Sequence, residues 1–116
     1  MQVPIQITFR NVEASEPIRA YVEKRAAKLE SFFGRAVGCR VAIESPHRHK
    51  SHGHPYRVRI DLTVPGAELV AGHHSGDDIS NTDVYAAIDV AFEDAVRLLH
   101  DHAGRIRAVR RRAESS

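Results

Sequence analysis

The segment NVEASEPIRAYVEKRAAKLESFF, residues 11–33, decides the fold because it combines a helix start with a core-facing stripe. Ser15 is the expected N-cap, since its hydroxyl can accept a hydrogen bond from an unpaired backbone N–H. Pro17 suits the first turn because it has no N–H to leave unpaired. At about 100° per residue the apolar side chains gather on one side. These residues are Ile18, Tyr21, Val22, Ala26, Leu29, Phe32 and Phe33. A helix is therefore predicted to begin near Glu16 and to pack on a core.

The charged residues of this helix separate onto the two borders of the apolar stripe. The basic border consists of Lys24, Arg25 and Lys28. The acidic border consists of Glu16, Glu23 and Glu30, with Arg19 as one basic residue among them. One border therefore suits phosphate groups and the other does not.

Composition bounds the kind of protein. A chain of 116 residues with 42% apolar and 28% charged residues predicts one compact domain. No apolar run approaches membrane-spanning length, and the start MQVPIQITFR lacks the features of a signal peptide, so we expect a cytoplasmic protein with no membrane partner. Cys39 is the sole cysteine, and its alternation with Val41 and Ile43 indicates a buried structural side chain.

Charge is divided into three blocks behind the formal net charge of +2. Residues 1–60 carry a net charge of +6, residues 61–104 carry −8, and residues 105–116 carry +4. Such blocks suggest one surface that attracts a polyanion and another that avoids it, although charge blocks can also simply solvate a face.

Alternating apolar residues predict four strands. The expected inward residues are Val3, Ile5, Ile7 and Phe9 in the first strand, Cys39, Val41 and Ile43 in the second, and Tyr56, Val58, Ile60, Leu62 and Val64 in the third. Pro65 and Gly66 predict a turn into a fourth strand over residues 68–72.

A final helix is expected after Thr82 or Asn81, either of which can cap it, with Asp83 placing negative charge at its positive end. Its apolar stripe comprises Val84, Ile88, Ala91, Ala95, Leu98 and Leu99. Gly104 would end or weaken this helix, although Ile106 and Val109 would continue its stripe. The prediction is an α+β fold of order β-α-β-β-β-α, with both helices on one face of a four-stranded sheet. Residues 1–104 form the domain and residues 105–116 an Arg-rich tail.

Signatures of catalysis are absent from the sequence. It contains no nucleophile elbow, P-loop, dinucleotide fingerprint or Cys-x-x-Cys pair, so we expect neither an enzyme nor a cofactor or small-molecule substrate. The loop PHRHKSHGH, residues 46–54, leaves two alternatives: a metal or partner site, or a polar loop that contacts RNA. The second is preferred because basic side chains in the loop would repel a cation. The candidate loop contacts are His47, Arg48, His49 and Lys50.

The basic border of the first helix favours binding of phosphate groups. Arg40, Arg57 and Arg59 would join it if the outer sheet face is exposed, as would the Arg-rich tail. Few aromatic residues are expected to be exposed, which favours structured RNA over stacking on single-stranded bases.

Two blocks of the sequence resemble one known family. The first contains NVE, IR, YV, AKLE and FF within residues 11–33, and the second contains VPGAELVA and DVYAAID at residues 64–71 and 83–89. They resemble the bacterial ribosome hibernation promoting factors, also called ribosome-associated translation inhibitors, in their short, sigma-54 modulation protein-like form. The resemblance implies a fold like that of double-stranded-RNA-binding domains. It also implies binding to ribosomal RNA of the small ribosomal subunit near the decoding region, where messenger and transfer RNA are excluded from idle ribosomes.

The same resemblance suggests which residues contact RNA. Arg19, Arg25 and Lys28 stand at basic positions of the first helix, and Lys24 is an addition here. In the last helix Arg97 keeps its sign, while Asp94 and Asp101 reverse that of the family. The RNA-binding candidates are Arg19, Lys24, Arg25, Lys28, Arg97, His100, His102, Arg105 and Arg107. Longer relatives append a domain that pairs ribosomes. The residues after Arg112 could not form one, so direct pairing of ribosomes is not expected here.

Three functions stay open from the sequence. The preferred one is a ribosome-binding factor that occludes the decoding region. A general binder of structured RNA is the second, since acidic substitutions in the last helix could weaken ribosome docking. A metal-binding or partner-binding module that uses the histidine loop is the third.

Overall fold

The structure is a computed structural model that describes residues 5–33, 38–45, 56–72 and 83–115. Its elements follow the predicted order β-α-β-β-β-α. They are β1 (Ile5–Arg10), α1 (Glu16–Phe33), β2 (Gly38–Glu44), β3 (Arg57–Val64), β4 (Ala67–Ala71) and α2 (Val84–Ser115). The four strands form one mixed sheet in the order β1-β2-β3-β4.

Strand pairing sets which side chains share a face of the sheet. β1 pairs with β2 in parallel, and β2 with β3 and β3 with β4 pair antiparallel. Ile7, Val41 and Ile60 lie side by side on the inner face, as the alternation predicted. Val3 lies outside the described residues. β4 spans residues 67–71 rather than the predicted 68–72.

Both helices pack on this inner face. Val22 and Leu29 of α1 and Ile88, Ala91 and Ala95 of α2 are buried in one cluster with the strand residues, which confirms the predicted stripes. Ala87 and Phe92 also belong to the cluster, although the predicted stripe omitted them. The Ser15 hydroxyl accepts a hydrogen bond from the Ile18 N–H at 3.4 Å, so the predicted cap of α1 is confirmed. The side chains of Phe32 and Phe33 lie outside the described part of the chain.

Asp83 is the cap of α2, in place of the predicted Asn81 or Thr82. Its carboxylate accepts a hydrogen bond from the Tyr85 N–H at 3.0 Å, and the helix begins at the next residue, Val84. Asn81 and Thr82, the predicted caps, lie outside the described residues. A carboxylate at this position also favours the positive end of the helix dipole.

Helix α2 does not end at Gly104 but continues to Ser115. Its last buried residue is Leu99. Residues 105–115, here called the extension, would add about 16 Å of helix at 1.5 Å per residue. The predicted boundary between the domain and the Arg-rich tail therefore falls within a continuous helix, and the division itself stays a prediction.

Gly72 allows α2 to lie directly against the end of β4. It has a φ of +79°, and a Cβ placed on it would lie 2.2 Å from the Val58 carbonyl oxygen and 3.1 Å from the Ala91 Cβ. Its N–H donates a hydrogen bond to the Asp94 carboxylate at 3.0 Å. The missing side chain and the carboxylate together fasten the helix to the sheet.

The inner face also buries Cys39, as predicted. Burial, with a smaller contribution from the Asp61 charge, raises the pKa of its thiol to about 11. The thiol is therefore protonated at neutral pH and acts as a small apolar side chain.

We expect Gly72→Ala to lower the free energy of unfolding by about 2 kcal/mol or more, because it combines left-handed backbone strain with a backbone clash. Gly66→Ala is the matched control: Gly66 has a φ of +84° but open space around its Cβ position. That variant should lose only about 1 kcal/mol. Urea denaturation of both variants checks this, and equal losses would contradict the close approach.

Candidate nucleic-acid interface

The basic border of α1 faces α2. The Tyr21 hydroxyl donates a hydrogen bond to the Asp89 carboxylate at 2.6 Å. The Tyr21 and Tyr85 rings meet edge to face, with centroids 5.1 Å apart. The hydrogen bond to Asp89 and partial desolvation raise the pKa of Tyr21. Tyr21, predicted as a core residue, is half-buried and joins the two helices at their outer surface.

Arg25, a residue of the basic border, also contacts two side chains of α2. Its Nε lies 3.6 Å from an Asp89 carboxylate oxygen, and its guanidinium carbon lies 5.7 Å from the centroid of the Phe92 ring. The side chain is only 27% exposed. Much of its positive charge is therefore directed at Asp89 and Phe92, which reduces what it can offer to a phosphate.

Lys24 and Lys28 remain exposed on the same border. Arg19 is separated from them because it lies on the opposite border, with its guanidinium carbon 5.7 Å from the centroid of the Phe9 ring in the edge strand β1. The structure thus brings Lys24, Arg25 and Lys28 together and leaves Arg19 on the far side of α1.

The candidates on α2 fall into distinct surroundings. Arg97 contacts the Asp94 carboxylate directly and lies 3.9 Å from that of Asp101, so its charge is compensated. His100 is exposed, whereas His102 is half-buried and its Nε2 has no hydrogen-bond partner within the described part of the chain. Arg105 and Arg107 are exposed on the extension.

The outer face of the sheet is exposed but electrically mixed. Arg40 lies 3.8 Å from both Asp61 and Glu68, and Arg59 donates a hydrogen bond to Asp61 at 3.0 Å. Arg57 is also exposed on this face. Because these carboxylates lie among the arginines, the face is a weaker phosphate surface than the border of α1.

The candidate loop contacts His47, Arg48, His49 and Lys50 lie outside the described residues. Within residues 5–33, 38–45, 56–72 and 83–115, no group of three or more His, Cys, Asp or Glu could hold a metal ion. The same part of the chain contains no helix long and apolar enough to cross a membrane.

Comparison with known proteins shows the family of this chain. The sequence model described as "Sigma 54 modulation protein / S30EA ribosomal protein" matches residues 5–107. The chain belongs to this family. The match extends from β1 to the beginning of the extension, so it includes both helices and the whole sheet.

Curated relatives of this S30EA family member carry ribosome hibernation names. It is 33% identical over 94 residues to the ribosome hibernation promotion factor of Deinococcus radiodurans, covering 81% of this chain but 46% of the relative. It is 30% identical over 103 residues to the ribosome hibernation promoting factor of Escherichia coli K12, covering 89% of this chain and 96% of the relative. The chain therefore spans about half of the longer relative and nearly all of the shorter one.

Two solved structures share the fold of this family member. A ribosomal subunit interface protein from Coxiella burnetii aligns with a TM-score of 0.71 at 16% identity, covering 88% of this chain and 99% of that one. The N-terminal domain of Thermus thermophilus Protein Y aligns with a TM-score of 0.64 at 24% identity, covering 85% and 96%.

The structure gives Asp94 a role that the family resemblance did not suggest. Its carboxylate holds both the Gly72 N–H and the Arg97 guanidinium, so the acidic residue fastens α2 to β4. The contacts of Asp89 with Tyr21 and Arg25 were also missed. The only available signal was the spacing of four between Tyr85 and Asp89, which puts both on one helix face.

Arg25→Glu should lower the free energy of unfolding by about 1–2 kcal/mol, because it places a carboxylate beside Asp89 and removes the contact with Phe92. Lys28→Glu makes the same charge change on the same border, away from these partners, and should cost less than about 0.5 kcal/mol. Chemical denaturation of the two variants measures the difference. Equal stabilities would show that the Arg25 contacts contribute nothing.

Proposed function

We propose that this S30EA family member is a non-enzymatic, cytoplasmic ribosome-associated factor that binds the small ribosomal subunit near its decoding region and blocks or stores idle ribosomes. The observation that carries the proposal is the family match over residues 5–107, together with the hibernation names of its relatives. The resemblance supplies the small subunit and its ribosomal RNA as the partner.

The chemistry of docking would be phosphate binding without base readout. Lys24 and Lys28 offer ammonium groups to solvent along one line of α1, and compact charges of this kind bind phosphates irrespective of sequence. Arg107 and His100 extend the candidate surface along α2. A rigid domain held on the RNA by such contacts would exclude messenger and transfer RNA by occupying their space.

A general binder of structured RNA is the second candidate. The observation that favours it is the compensation of Arg97 by Asp94 and Asp101, which reduces the positive charge in the middle of α2. Such a protein would bind A-form RNA through its backbone and would not distinguish the small subunit from other structured RNA.

Co-sedimentation of the untagged protein with purified small subunits, at low and moderate salt and with total cellular RNA as competitor, separates these candidates. Pelleting that survives the competitor supports ribosome occlusion. Pelleting that the competitor abolishes supports general RNA binding. Absence of pelleting at low salt would exclude both and direct attention to the histidine loop.

Lys24→Gln with Lys28→Gln should weaken binding to the small subunit and lower the slope of log K against log salt by about 2, one for each lost phosphate contact. Arg57→Gln with Arg59→Gln removes the same charge from the outer sheet face and is the matched control. It should leave the slope within about 0.5 of the parent value if that face does not bind phosphates. Equal losses for both pairs would indicate attraction by net charge alone and would contradict the proposed surface.

A further inference from the structure

The extension of α2 is positively charged, and the core cluster of the described residues includes none of its side chains. It contains five arginines and one glutamate. Ile106 is 39% exposed and Val109 is 62% exposed, although both continue the stripe that packs on the sheet earlier in the helix. Arg105, Arg107 and Arg110 form none of the ion pairs found in the described part of the chain. Neither Ile106 nor Val109 packs on the core cluster, so such packing does not stabilise the helix in these last turns.

Two further features weaken the helix here. Arg107 and Arg110 are three residues apart, so like charges lie on neighbouring turns. Short helices without tertiary packing are marginal in water, and the extension is stabilised chiefly as a continuation of α2. Its helical state is therefore sensitive to anything that neutralises the arginines.

Gly104 lies at the junction between the packed part of α2 and the extension. A Cβ placed on it would meet nothing within 4 Å, so no close approach requires a glycine. Glycine inside a helix is less favourable than alanine because its unfolded backbone has more freedom to lose. The chain therefore has a weak point where packing ends and repulsion between arginines begins.

We propose that the extension is a phosphate-binding arm, hinged at Gly104, whose helix is completed by an RNA backbone. In the free protein the arm unfolds and refolds locally at the end of α2. Phosphates that contact the exposed arginines favour its helical state. Pairing of the extension with the extension of a second copy is disfavoured, because both carry the same positive charge. That the polyanion is RNA rests on the proposed function.

Ordering of the arm is coupled to binding by population shift. If a ligand binds only the helical state, its apparent affinity equals its intrinsic affinity multiplied by the fraction of molecules whose arm is helical. Gly104→Ala favours the helical state without a clash. It should tighten RNA binding by up to about fivefold, from the ordinary difference in helix propensity between the two residues.

Hydrogen–deuterium exchange of the full chain, free and with a short A-form RNA duplex, tests the hinge. Amides of residues 105–113 should exchange much faster than those of residues 88–99 in the free protein and should slow when the duplex is added. Gly104→Ala should slow them in the absence of RNA. Exchange as slow in the extension as in the packed helix, or unchanged by Gly104→Ala, would overturn the proposal.

Charge variants test the phosphate contact. Arg107→Gln with Arg110→Gln should abolish most of the duplex-induced protection of the extension, whereas Arg97→Gln, which removes a compensated arginine from the same helix, should leave it intact. If both variants behave alike, the arm is not ordered by phosphate contact.

The choice of a plain duplex separates this proposal from the ribosome assignment. Loss of small-subunit preference with intact ordering of the arm on the duplex would sink the ribosomal function alone. Retained docking through Lys24 and Lys28, with an extension indifferent to RNA, would sink the arm alone.

Discussion

The contact between α2 and the end of β4 depends on the absence of a side chain at Gly72. The Val58 carbonyl and the Ala91 methyl occupy the space that a Cβ would need. The close approach turns the Gly72 N–H towards the helix, where the Asp94 carboxylate accepts its hydrogen bond. An acidic residue at position 94 is thus explained by the fold. Because it also draws in Arg97, the middle of α2 carries less uncompensated positive charge than the exposed Lys24 and Lys28 of α1.

Arginine and lysine are used differently across the molecule. The guanidinium groups of Arg19 and Arg25 lie against aromatic rings, and those of Arg40 and Arg59 lie against carboxylates. A planar, weakly hydrated guanidinium suits such contacts, whereas an ammonium group is strongly hydrated and stays in water. Lys24 and Lys28 accordingly remain in solvent on the border of α1. The positive charge that the folded protein presents to solvent therefore differs in position and amount from the charge counted along the sequence.

Periodic patterns predicted the elements and most of the core, because strands that alternate and helices with one apolar stripe leave a local signal. Contacts between distant residues leave none. The hydrogen bond from Tyr21 to Asp89 joins residues 68 positions apart, and helical angles indicate which border carries Arg25 but not what lies across it. The sequence does not decide the cap of α2, because Asn81, Thr82 and Asp83 are all good caps. Continuation past Gly104 was equally undecided, since glycine weakens a helix without forbidding it.

The parallel pairing of β1 with β2 has a consequence for how the chain folds. Strands β2, β3 and β4 are joined antiparallel, and β3 follows into β4 through a short turn, so this part can assemble from nearer residues. Ile5, by contrast, pairs with Cys39, so β1 can pair with β2 only after the connecting chain, which contains α1, has crossed the sheet. The closure of that longer loop loses entropy before any pairing compensates it. The N-terminal strand is therefore expected to join the sheet late in folding and to leave early when the native protein opens locally.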